Sequence, residues 1–157
     1  MKLDTRVEQA LIEINFVERY ENISKKYNRE RTPKGQELDY FDGDFLMEIV
    51  ELLGYKAQYD KRERFFHIDL EEIGYFRFGF HFALEYGRLE LIWVVYEGDK
   101  VVLGSPWTRY PRLMIARDYI IKQPIISDYV DFRDIMKIAF EMYEDFKQAF
   151  LKAGCRR

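Results

Sequence analysis

His67, Asp69, Arg77 and His81 are the residues of this chain whose types and spacing come closest to chemistry. All four take odd positions in two runs whose even positions are apolar. One run carries Phe66, Ile68 and Leu70, the other Phe76, Phe78, Phe80 and Phe82. Successive side chains on a strand point to opposite faces, so the four polar residues share one face of a sheet. If the strands join through Glu72-Ile73-Gly74, Asp69 stands opposite Arg77 and His67 opposite Gly79, with His81 one pair further on. Two histidines and an aspartate can ligate zinc, and a histidine can move a proton. The same layout is also the polar side of a half-exposed sheet, with Asp69 and Arg77 as a cross-strand ion pair. No helix carries a histidine pair and no cysteine completes a ligand set. The expectation is therefore a solvated or partner-facing surface, with no metal, no cofactor and no catalytic residue. A small-ligand binder or enzyme on this face is the alternative.

A second concentration of chemistry lies in residues 37–51. Glu37, Asp39, Asp42, Asp44, Glu48 and Glu51 occur there with no lysine or arginine, and Tyr40 and Phe41 sit among them. Aromatics flanked by acids make an anchor for a basic protein surface, because charge steers the encounter and rings supply burial. Helix chemistry explains part of the pattern: acids suit a helix N-terminus, and Glu48 and Glu51 fit a wet helix face. The spacing lacks the ligand ladder of a calcium loop. Glu37, Asp39, Tyr40, Phe41, Asp42 and Asp44 are thus candidate partner-binding residues. Residues 105–112, Ser-Pro-Trp-Thr-Arg-Tyr-Pro-Arg, add Trp107 and Arg109 as candidates on a recognition loop; Trp107 equally suits a cap on the core. No nucleophile elbow surrounds Ser105, and there is no phosphate loop or dinucleotide fingerprint. Cys155 precedes Arg156 and Arg157, which would lower a thiol pKa, but its place near a helix end suits an inert residue.

The elements that position these residues can be read from periodicity. Residues 5–30 read as one long helix whose stripe begins Val7, Ala10, Leu11, Ile14 and Val17, then drifts to Phe16, Tyr20, Ile23 and Tyr27. A shorter helix follows Asp42-Gly43-Asp44 and stops at Gly54. Strands are expected at 55–59, 66–70, 75–86, 88–96 and 101–105. A turn at Tyr86-Gly87 pairs Phe82 with Leu91, Phe80 with Trp93, Phe78 with Val95 and Glu85 with Arg88. Residues 106–124 read as irregular or as holding a short helix. A last helix spans about 131–153. The sum is a single α+β domain over 1–157: an antiparallel β-meander of about five strands, two N-terminal helices and a long C-terminal helix.

Composition narrows the class. The chain has 157 residues, a net charge of −3 and 17% aromatics, which gives a globular domain able to bury its own core. Its mild acidity is poorly suited to wrapping nucleic acid, which asks for a clustered positive surface. No apolar run is long enough to span a membrane, the first residues lack a signal-peptide pattern, and a single cysteine fits a reducing compartment. A cytoplasmic protein is the expectation.

An acidic single domain with flanking helices, an aromatic meander and no catalytic motif resembles the immunity proteins of bacterial toxin systems. The resemblance spans the whole chain and rests on the acidic stretch 37–51 and the aromatic strands. It implies a cytoplasmic bacterial protein that binds a cognate toxin, often a basic nuclease, and blocks it. It carries no family residue onto a position of this sequence. A dimeric secretion chaperone or adaptor is a further alternative, although here the helices precede an unbroken meander.

Overall fold

The computed structural model describes residues 2–155. The chain opens with α1 (Thr5–Glu13), capped by the Asp4 carboxylate, which accepts the Arg6 N–H. Next comes α2 (Phe16–Lys26). The single helix expected over 5–30 is therefore two. The break falls at Asn15, whose φ of 57° is left-handed, a conformation asparagine tolerates better than most residues. The cause is the drift in the stripe. One straight helix could not bury both Val7, Ala10 and Leu11 and Phe16, Tyr20 and Ile23, and the kink re-aims the second set at the core. Then α3 (Gly43–Leu52) begins where Asp42 accepts backbone N–H groups of Asp44 and Phe45.

The sheet holds six strands among the described residues: β1 (Ala57–Asp60), β2 (Phe65–Ile68), β3 (Glu71–Ile73), β4 (Phe76–Glu85), β5 (Arg88–Glu97) and β6 (Lys100–Leu103). All pairings are antiparallel, in the order β1-β2-β4-β5-β6, with β3 also paired to β4. The β4–β5 hairpin has the expected register, including Phe80 opposite Trp93 and Glu85 opposite Arg88. Its turn residues Tyr86 and Gly87 both have positive φ, the geometry that matches strand twist.

The expected β2–β4 register is corrected. His67 faces His81 rather than Gly79, and Arg77 faces Glu72 rather than Asp69. The reversal falls at Gly74-Tyr75, so Glu71–Ile73 becomes a strand of its own instead of a turn. Asp69 and Leu70 sit between β2 and β3, and Leu70 folds over Gly79, where an added Cβ would lie 2.8 Å from Leu70 Cδ2. The β2 pairing slips by two residues and keeps its faces. Arg77, however, moves three places, from Asp69 to Glu72, so the chain gains a residue at Asp69-Leu70 and β3 is turned over. Leu70, expected on the apolar face, lies on the His81 side.

Residues 106–124 hold a 3-10 turn (Trp107–Arg109) and the short α4 (Tyr110–Met114). The chain then runs through a β-bridge between Ile125 and Arg88 into α5 (Tyr129–Gly154), capped by Asp128. All the long helices lie on the even-numbered face of β4. Phe80 meets Trp93, Trp107, Phe140 and Tyr143, and Phe146 stacks on Trp93 at 4.8 Å. Among the described residues no helix lies over the opposite face of the sheet. No helix among the described residues is long and apolar enough to cross a membrane.

Candidate functional site

The loop between α2 and α3 is pinned from several sides. Leu38 N–H donates to the Ile126 carbonyl at 2.9 Å, Ile126 N–H to Gly87 at 2.8 Å, and Ile125 N–H to Tyr27 at 2.8 Å. The Glu37 side chain is 11% exposed, and its carboxylate accepts from Arg29 at 3.0 Å and from the Gly35 N–H at 2.7 Å. Its own backbone N–H and the Arg29 guanidinium hold this carboxyl below the usual glutamate range. Phe41 packs its ring against Phe66. Asp42 N–H donates to the Tyr129 hydroxyl at 2.9 Å, and Tyr129 meets Phe45 edge-on at 4.7 Å.

These contacts bring the N-termini of α3 and α5 together. Around their junction Asp39, Asp42, Asp44 and Asp128 are exposed, and none takes an ion-pair partner among the described residues. Two arginines of this loop are engaged elsewhere, Arg29 by Glu37 and Arg31 by the buried Asp131. Tyr40 projects from the loop with 94% of its surface in water, and Phe45 (41%) and Val130 (52%) stand beside the acids.

The structure thus divides the sequence candidates. Asp39, Tyr40, Asp42 and Asp44 share one exposed corner. Glu37 and Phe41 support it from beneath. Glu48 and Glu51 are exposed along α3. Asp128 and Val130 belong to the same corner, although in sequence they stand just before the expected helix over 131–153. They lie more than half the chain length from Asp42, and only the convergence of two capped helices joins them.

Trp107 is corrected. It is fully buried against Phe16, Tyr20 and Trp93, so it offers no surface to a partner. Tyr110 is buried beside it and donates its hydroxyl to the Ser105 carbonyl at 2.8 Å; burial pushes that hydroxyl's pKa up. Arg109 does face outward, on a different part of the surface from Tyr40's loop.

On the uncovered sheet face the His67 and His81 rings lie 6.0 Å apart, and Phe65 stacks on His81 at 4.7 Å. Asp60, Asp69, Leu70 and Tyr96 complete a shallow depression around them. The expected Asp69–Arg77 pair does not form. Arg77 lies over Tyr96 and donates to the Gly98 carbonyl. Burial, with His67 next in effect, lowers the His81 pKa and favours its neutral ring. Among the described residues no cluster of three or more His, Cys, Asp or Glu side chains is arranged to hold a metal ion. Cys155 is exposed at the end of α5, and its neighbours Arg156 and Arg157 lie outside the described residues.

Comparison of the chain with protein-family models, with curated proteins and with solved structures gives no match, so the geometry of these surfaces alone supports a function.

Proposed function

We propose that this chain is a non-enzymatic protein-binding domain whose partner is a basic protein surface, in the manner of an immunity protein that neutralises a toxin. One observation carries the reading: Tyr40 is 94% exposed on a loop whose backbone is held on both sides. An aromatic ring left in water on a rigid loop has little freedom left to lose, so its burial by a partner goes largely into affinity. Asp39, Asp42, Asp44 and Asp128 surround the ring with negative charge that steers a cationic surface toward it. Co-purification of the tagged protein from its own host, with Tyr40→Ala in parallel, tests the reading. A basic partner recovered with the parent and depleted with the variant is expected. A partner held equally by both, or one with no basic surface, overturns it.

The uncovered sheet face supports a second reading, a small-ligand binder, on the strength of the depression around Phe65, His67, His81 and Tyr96. A planar ligand stacked there would shift the two histidine ring signals in NMR saturably and would leave Tyr40 untouched.

A further inference from the structure

The sheet ends at β1, and among the described residues no strand or bridge pairs with its outer edge. The ladder to β2 decides which backbone groups face that edge. Asp69 N–H donates to the Lys56 carbonyl at 3.3 Å, and Lys56 stands one place before Ala57, which pairs with Ile68. Alternate residues of an antiparallel strand turn their N–H and C=O groups the same way, so Lys56, Gln58 and Asp60 bond inward. The N–H and C=O groups of Ala57 and Tyr59 therefore point outward, and they meet no backbone partner among the described residues.

An open edge is a template for another strand, and a lysine on it normally discourages pairing. Here an acid answers the lysine. Residues 56–60 read Lys-Ala-Gln-Tyr-Asp. Antiparallel pairing with a second copy, about a twofold axis at Gln58, sets each Lys56 opposite the other copy's Asp60 and each Ala57 opposite its Tyr59. The outward groups of Ala57 and Tyr59 then meet as hydrogen-bonded pairs and Gln58 meets its own copy as a non-hydrogen-bonded one, the alternation a ladder requires. Lys56 is exposed and takes no carboxylate among the described residues. Asp60 Oδ1 accepts the Arg62 and Glu63 N–H groups, which leaves Oδ2 for a cation. Tyr59 rests on Phe66 yet stays 41% exposed, and it would face the small Ala57. The same register runs the basic turn with Lys61, Arg62 and Arg64 past Gly54, toward exposed Glu51 and Leu52 at the end of α3. At the other end of the sheet β6, Lys100 to Leu103, has no acid to answer its lysine.

We propose that this chain forms a homodimer by pairing β1 with β1 of a second copy, which joins the two sheets into one. The Tyr40 reading plays no part in this argument.

The test is sedimentation equilibrium of the full chain over a range of concentrations, with amide exchange followed by NMR. A concentration-dependent dimer is expected, with the Ala57 and Tyr59 amides slowed as it forms. Ala57→Pro removes an outward N–H while every bond from β1 to β2 stays, and it should abolish the dimer. Lys56→Glu changes only an exposed side chain and sets like charges opposite each other at both ends of the pairing. It should weaken the dimer about tenfold or more, and added salt should restore part of the loss. Should Ala57→Pro fail to fold, Lys56→Glu decides alone. A chain that stays monomeric up to about 1 mM overturns the proposal. So does a dimer that folded variants keep at the parent's strength, or one whose Ala57 and Tyr59 amides exchange as fast as the monomer's.

Discussion

Gly87 lies directly against Glu37: a methyl group built on Gly87 would collide with the Glu37 Cβ and crowd its Cα. The contact joins the β4–β5 turn to the loop that carries Tyr40. The loop can come this close only because residue 87 has no side chain, and the positive φ of 74° there also favours glycine.

Gly87→Ala therefore carries two costs. A left-handed alanine costs about 1–2 kcal/mol by itself. Gly98→Ala isolates that cost, because Gly98 also has a positive φ but nothing within 4 Å of an added Cβ. Thermal denaturation should show a modest loss for Gly98→Ala and a clearly larger one for Gly87→Ala. Equal losses would mean that the loop moves away from the turn without penalty.

Phe80 is fully buried between two tryptophans and α5. Phe80→Ala should cost about 3–5 kcal/mol, the usual range for removing a large core ring. Tyr75, 85% exposed at the β3–β4 turn, should change stability by about 0.5 kcal/mol or less when replaced by alanine. Chemical denaturation of the two variants checks the assignment of faces.

His81 supplies a pH dependence with a definite sign. Its folded pKa lies below the ordinary value of 6.5, burial being the first cause and the charge of His67 the second. The unfolded chain then binds the proton more readily, so stability is full above about pH 6.5 and declines as pH falls below it. His81→Gln should flatten the change in melting temperature between about pH 7.5 and about pH 5.5, above the range where carboxylates dominate. Asp60, Asp69 and His67 border the same depression and remain in both proteins, so the difference between the two profiles reports His81 together with its coupling to His67.

Much of this fold is legible in the sequence because strand parity and helix periodicity are local. The Tyr86-Gly87 turn fixed the β4–β5 register from two residues, and the α3 boundaries followed from Asp42 and Gly54. The β2–β4 register was not legible, since a two-residue slip preserves the faces of β2, and nothing in the sequence marks the extra residue at Asp69-Leu70 that turns β3 over. The break at Asn15 left a trace in the drifting stripe. The Tyr40 corner was half legible: its acids and rings are contiguous from Asp39 to Phe45, but Asp128 and Val130 join it only through the meeting of two helix ends. Trp107 went to the core because its neighbours in space, Phe16, Tyr20 and Trp93, come from distant elements.

The most direct test of the central claim is the association and dissociation kinetics of the co-purified partner at several salt concentrations. The informative variants are Asp39→Asn with Asp44→Asn, and Tyr40→Ala. Asp42 is left in place because it caps α3. The double asparagine variant should associate more slowly and with a weaker salt dependence, while its melting temperature stays that of the parent. Tyr40→Ala should chiefly raise the dissociation rate, at a cost of about 2 kcal/mol or more in binding. Kinetics unchanged by all three substitutions, in variants that melt like the parent, would contradict the account.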